Sequence, residues 1–179
     1  MKIFLILLFI PMLLSAKKWE TLANCKLTHN SYYDGDSFHV SHKGKEYIFR
    51  LYFVDTPETS LKYKSRVKDQ AKYWKSSVNA TVKIGKKAKK FSADLLKKKF
   101  TVFTKWDDAK GSSKKPRYFA FVKTKSGNDL AESLISNGLA RIYGMRVNHP
   151  EGDKAKEISK KLMKLEDTAK SKKLGGWKR

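Results

Sequence analysis

Residues 34–58 read Asp34-Gly35-Asp36-Ser37-Phe38-His39-Val40-Ser41-His42-Lys43-Gly44-Lys45-Glu46-Tyr47-Ile48-Phe49-Arg50-Leu51-Tyr52-Phe53-Val54-Asp55-Thr56-Pro57-Glu58. Asp34-Gly35 is a turn dipeptide between two strand-like runs. Phe38 and Val40, then Tyr47, Phe49, Leu51 and Phe53, alternate with other residues about a second turn at His42–Lys45. Alternation of period two predicts strands. With a first strand somewhere in 19–33, carried by Trp19, Leu22, Cys25, Leu27 and Tyr33, this makes three antiparallel strands in a row, the last ended by Pro57.

The period then changes. Tyr63, Val67, Ala71, Trp74 and Val78 recur at helical spacing and predict a helix over 61–79; Ala88, Phe91 and Leu95 predict another over 86–97. Phe100 to Trp106 alternates as a fourth strand, and Tyr118 to Val122 follows as a fifth beyond a polar loop. Asn128 is read as the cap of a helix that stops at Gly138, Leu139 to Tyr143 as a short apolar piece, and Pro150 as the opening of a last, lysine-rich helix. Five short strands with helices packed against them predict an α+β fold: a five-stranded OB-fold β-barrel with three or more packed helices.

The 179 residues suit one domain, and 40% hydrophobic residues can build its core. Residues 1–16 stand apart: Lys2, a nearly unbroken apolar run from Ile3 to Leu14, then Ser15-Ala16, the layout of a signal peptide and too short to span a bilayer comfortably. The expected organisation is a signal peptide over 1–16 and a domain over 17–179, in a secreted or periplasmic protein. With Cys25 as the lone thiol there is no internal disulfide. Lys and Arg number 40 against 17 Asp and Glu, a formal net charge of +23. Such an excess speeds encounter with anions, nucleic acids foremost. The last helix lacks the large aromatic face of interfacial helices, so no membrane partner is expected beyond export.

Against that cationic background, Asp34, Asp36, Asp55 and Glu58 fall within 25 residues, together with Arg50. Like charges are not gathered for stability; a compact acidic spot on a cationic protein suits a divalent cation held against a polyanion. Carboxylate and hydroxyl oxygens, with no neighbouring Cys or His pair, fit Ca²⁺ or Mg²⁺ better than Zn²⁺. The EF-hand is excluded because its twelve-residue loop and terminal Glu are missing. Side chains two apart on a strand share a face, so Asp34 and Asp36 can converge. Arg50 lies five before Asp55, so twist or a bulge must aim it if both serve one site.

Asp34-Gly35-Asp36-Ser37, the run Arg50 to Glu58, Pro116-Arg117-Tyr118-Phe119-Ala120-Phe121-Val122 and Asn137-Gly138-Leu139-Ala140 together resemble the thermonuclease (staphylococcal nuclease-like) family, over roughly residues 20–175. The resemblance implies that Asp36 and Asp55 bind Ca²⁺ with the backbone carbonyl of Thr56, and that Asp34 is a nearby supporting acid. It implies that Glu58 orients or deprotonates the attacking water and that Arg50 and Arg117 grip the phosphate. The implied reaction is hydrolysis of DNA and RNA at the 5′ P–O bond, leaving 3′-phosphates, by a monomer without a stable protein partner. The sequence departs from the family pattern at Ser37 (usually Thr), at Pro116 (commonly Gly) and at Lys115 (often a tyrosine of the nucleotide pocket), where Tyr118 or Tyr143 could substitute. The stretch 60–99 is longer than its family counterpart, which places a helical insertion around 60–85. The alternative is an OB-fold that binds nucleic acid without cutting it.

The charge alone generates one prediction. Affinity for DNA, measured by fluorescence anisotropy, should fall by about tenfold or more between 50 and 200 mM salt through counterion release; a flat profile would contradict a basic nucleic-acid surface.

Overall fold

The computed structural model describes residues 17–28, 34–111 and 115–178. The expected signal peptide and its cleavage point lie outside them, as does His29. The strands β1 (Glu20–Leu27), β2 (Ser37–His42), β3 (Lys45–Leu51), β5 (Phe100–Asp108) and β6 (Arg117–Lys123) close into a barrel in the order β1-β2-β3-β6-β5. All pairings are antiparallel except β3 with β6, which run parallel and complete the ring. Two very short strands, β4 (Val54–Asp55) and β7 (Arg141–Ile142), pair outside the barrel. This is the expected α+β OB-type barrel, with four α-helices around it among the described residues.

Alternation explains the barrel interior. Leu22, Cys25, Val40, Phe49, Leu51, Val102, Ala120 and Val122 are buried in one continuous core that also takes in the helices. Burial raises the Cys25 thiol to about 11, which keeps it protonated and inert. Register shifts between Leu22 and Cys25 and between Thr104 and Asp108 bend β1 and β5. Asn24 and Trp106, inside those shifts, adopt φ of 59° and 60°, as bulges that curve a closing sheet do.

The helical segments differ from the expected boundaries. The first predicted helix is two: α1 (Lys64–Tyr73) ends at a turn, and α2 (Val78–Leu95) begins behind it. The reason is a cap. Ser77 Oγ accepts from the Ala80 amide, which starts α2 eight residues before the expected Lys86. α3 (Leu130–Ser136) is capped by Asp129, whose carboxylate accepts from the Glu132 amide at 2.9 Å, rather than by Asn128. α4 (Ala155–Ser171) starts five residues after Pro150, where Glu157 reaches back to the Lys154 amide at 2.9 Å.

Two glycines bring α2 against the loops that matter below. Gly35 lies against Thr56 and Ala88, and Ser92 Oγ donates to the Gly35 carbonyl at 2.6 Å. At Gly85 a Cβ would collide with the carbonyl oxygens of Pro57 and Glu58. α2 is thus a floor under both Asp34–Ser37 and Asp55–Glu58. Because backbone rather than a side-chain tip would have to give way, Gly85→Ala should cost about 1–3 kcal/mol in denaturant unfolding. An unchanged midpoint would show that the helix stands off the turn.

Candidate active site

The site forms where β2 begins and β3 ends. Ser37 and Arg50 are cross-strand partners, so the end of β3 faces the Asp34–Ser37 loop. After Leu51 the chain kinks. Phe53, buried, takes φ of 66°, and the Val54 amide donates to the Tyr52 carbonyl at 2.9 Å. The left-handed residue breaks the strand's alternation. That kink resolves the odd spacing of Arg50 and Asp55: Arg50 Nη2 lies 2.7 Å from Asp55 Oδ1 and 3.0 Å from Asp36 Oδ2. Thr56 Oγ1 donates to Asp36 Oδ1 at 2.8 Å. Asp36 and Asp55 are both wholly buried, and Arg50 bridges them.

Glu58 joins the cluster through a residue the sequence reading did not single out. Arg66, on α1, pairs its Nε with Glu58 Oε1 at 2.6 Å and its Nη2 with Asp55 Oδ1. Gln70, one turn on and fully buried, donates Nε2 to Asp55 Oδ2 and to the Thr56 carbonyl, each at 3.0 Å, and accepts from the Glu58 amide at 2.9 Å. Arg141 of β7 completes the ring. Its Nε lies 2.9 Å from Asp55 Oδ2 and its Nη1 2.8 Å from Asp69, while its guanidinium sits 4.5 Å from the Tyr143 ring centroid. A signal for Gln70 existed: it is a polar residue on the Val67–Ala71–Trp74 stripe that packs inward. Arg66 and Arg141 carried no such mark.

Arg117 stands at the edge. Its Nη1 is 3.4 Å from Ser37 Oγ, and its Nε and Nη2 donate to the Lys110 carbonyl, the former at 3.0 Å. Burial and the nearby Arg50 charge lower its pKa, so Arg117 faces Arg50 without a carboxylate partner of its own among the described contacts. Lys115 points elsewhere, to Glu46 at 2.6 Å, and Tyr118 packs edge-on against Trp106. Tyr143, more than half exposed, is the expected aromatic that does lie beside the site.

Electrostatics sort the acids. Burial, then the Asp36 charge, pushes the Asp34 carboxyl well above its ordinary value. Burial works against Asp36 as well, but Arg50 and the hydrogen bond from Asp34 hold it below. Of the two, Asp34 is the readier to hold a proton and Asp36 the readier to stay charged. Burial raises Glu58 above the ordinary glutamate value; Arg66 opposes this, and the Asp36 and Asp55 charges add to it. Asp36, Asp55, Glu58 and Asp69 face the guanidinium groups of Arg50, Arg66 and Arg141, and Arg117 adds a fourth guanidinium at the edge.

A hard cation can be tested against these donors. Asp36 Oδ2 is buried with no hydrogen-bond partner, only the Arg50 ion contact, and Asp34 Oδ1 is likewise unsatisfied. Orphaned carboxylate oxygens in a buried pocket fit a hard cation. The histidines do not add to these donors: His39 pairs with Glu46 at 3.0 Å, and His149 lies edge-on to Phe121. No group of three or more His, Cys, Asp and Glu suited to a metal occurs among the described residues. A cation here would rest on two aspartates and the Thr56 carbonyl.

The barrel topology, with carboxylates and arginines converging at one end of β2 and β3, defines an OB-type scaffold with a charged site at that end. The staphylococcal nuclease homologue family matches residues 48–179, and the chain belongs to it. The matched span contains Arg50, Asp55, Thr56, Glu58 and Arg117 but begins after Asp36, whose place in the site comes from geometry. An uncharacterised protein of Methanocaldococcus jannaschii is 28% identical over 168 residues, covering 84% of this chain and 73% of the relative. The fold and family are those of a nuclease-type hydrolase, with nucleic acids as the implied substrates.

Arg141 is buried beside Asp55, which keeps Arg50, Arg66 and Gln70 when Arg141 is removed, while Asp69 is 64% exposed. Arg141→Met should therefore cost about 1.5–3 kcal/mol, the range of a buried hydrogen bond to a charged group, in equilibrium unfolding. A cost below about 1 kcal/mol, the range of exposed pairs, would show the pairing to be incidental.

Proposed function

We propose that the protein is an exported, Ca²⁺-dependent endonuclease that hydrolyses DNA and RNA at the 5′ P–O bond and leaves 3′-phosphates, acting as a monomer. The observation that carries this reading is Arg50 bridging Asp36 and Asp55, with Glu58 one ion pair away. Export rests on the apolar run of residues 3–14.

Asp36, Asp55 and the Thr56 carbonyl would hold Ca²⁺, which when bound neutralises a phosphate oxygen and acts as a Lewis acid. Arg50 and Arg117 offer planar hydrogen-bond forks to the remaining equatorial oxygens, and these bonds strengthen as charge builds in the transition state. Glu58 positions the attacking water and takes its proton. The new P–O bond forms from that water; the bond to the 5′ oxygen breaks, and the departing oxygen is protonated from solvent. The raised Glu58 pKa keeps its proton affinity useful for a base. Tyr143 gives the nucleotide an exposed ring beside the site.

Plasmid digestion in Ca²⁺ and in chelator tests the reading. Cleavage in Ca²⁺ that chelator abolishes is expected; full activity in chelator would refute the metal, and binding without cleavage would favour the non-catalytic barrel. A second check uses pH. The base works deprotonated, so activity should rise with pH along a limb displaced above the ordinary glutamate range. Glu58→Gln should remove that limb and lower turnover by about 10²–10⁴-fold, with Ca²⁺ affinity nearly kept. A large loss of Ca²⁺ binding would mean that Glu58 is a ligand instead.

A further inference from the structure

The oxygens that would receive the cation already have cationic and amide partners: Arg50 and Arg141 hold Asp55 from the strands, and two further partners come from α1. Arg66 holds Asp55 Oδ1 and Glu58 Oε1, and Gln70 holds Asp55 Oδ2 and the Thr56 carbonyl. The two differ in freedom. Gln70 is wholly buried and makes three hydrogen bonds. The Arg66 side chain is 35% exposed, on the first turns of α1, with solvent on one side. Gln70 can share the Thr56 carbonyl, which has a second lone pair. A dication on Asp55 Oδ1 would be a third positive charge on an oxygen that already takes Arg50 and Arg66, and of these two Arg66 is the more exposed, 35% against 12%, and so the one free to leave.

We propose that Arg66 is an internal competitor of the divalent cation: it pairs with Asp55 and Glu58, sets the cation affinity, and is released towards the substrate phosphate as the cation binds. The proposal rests on the Ca²⁺ reading above. Two consequences follow from the geometry. Arg66 neutralises the acids while the cation is absent, so four acidic groups can stay together in a folded protein. Cation entry frees Glu58 from its ion pair at the moment a base is needed, and turns Arg66 into a third guanidinium beside the phosphate. Arg66 thus acts through Asp55 and Glu58, as a positioning residue.

The test needs no substrate. Ca²⁺ binding to the mature protein is measured by titration calorimetry for the wild type, Arg66→Gln and Arg66→Lys, with Asp36→Asn to show that the heat belongs to this site. Thermal unfolding is followed in chelator and in saturating Ca²⁺. Losing a charge-assisted competitor should tighten Ca²⁺ binding about tenfold in Arg66→Gln, with Arg66→Lys in between. Arg66→Gln should melt below the wild type in chelator, and Ca²⁺ should close that gap. Unchanged or weaker Ca²⁺ affinity in Arg66→Gln would overturn the proposal even if the protein cuts DNA. Failure of every form, wild type included, to bind Ca²⁺ would overturn both it and the metal reading, and DNA cleavage in chelator would then show which part of the nuclease reading survives. Arg66→Lys keeps the positive charge and guards against a Gln variant that fails to fold.

Discussion

The carboxylate of Asp55 is the point on which the structure turns. It is wholly buried, and a bare buried carboxylate costs several kcal/mol unless it is paired and hydrogen-bonded. Its partners come from three places: Arg50 at the end of β3, Arg66 and Gln70 on α1, and Arg141 on β7. Each arrives by a different device. A left-handed Phe53 folds Asp55 back under Arg50. The two-residue pairing of β4 with β7 sets Asp55 opposite Arg141. Inward packing of Val67 and Ala71 carries Gln70 to the carboxylate. One buried charge thereby fixes the junction of barrel, helix and outer strand pair, and that junction is also the candidate active site.

Charge balance links this junction to the rest of the chain. In the buried Asp34–Ser37 loop, burial and the Asp36 charge push the Asp34 carboxyl up, while Arg50 holds Asp36 below its ordinary value. Arg50, Arg66, Arg117 and Arg141 bring guanidinium groups to the site, and the +23 of the whole protein draws anions towards it. In the proposed reading, the acids receive the cation and the arginines the phosphate. α2 supplies the rigid floor through Gly35, Gly85 and Ser92.

The barrel was legible because strand alternation is local: Phe38, Val40, Phe49 and Leu51 announce their faces within a few residues. The acids and Arg50 were legible as a run, and their convergence was readable as a requirement for a bulge. The position of that bulge was not, since nothing in Leu51-Tyr52-Phe53-Val54 marks Phe53 as the residue to turn. Helix limits failed where a cap outweighed periodicity: Ser77 restarts the chain as α2, and Asp129 rather than Asn128 caps α3. Arg66 and Arg141 could not be found from spacing. They meet Asp55 from 11 and 86 residues away, and their contacts exist only once the chain is folded. Among many basic residues, these two carried no local feature to separate them from a solvated surface.

The central claim is that Asp36, Asp55, Glu58 and the arginines act together on one phosphodiester. End-group analysis of a labelled oligonucleotide cut in Ca²⁺ tests it most directly, with Arg50→Lys as the comparison. The account predicts fragments bearing 3′-phosphate and 5′-hydroxyl ends, and a loss of turnover of about 10²–10³-fold in the lysine variant, which keeps the charge and loses the fork. Fragments bearing 5′-phosphates, or cleavage indifferent to Arg50→Lys, would contradict it.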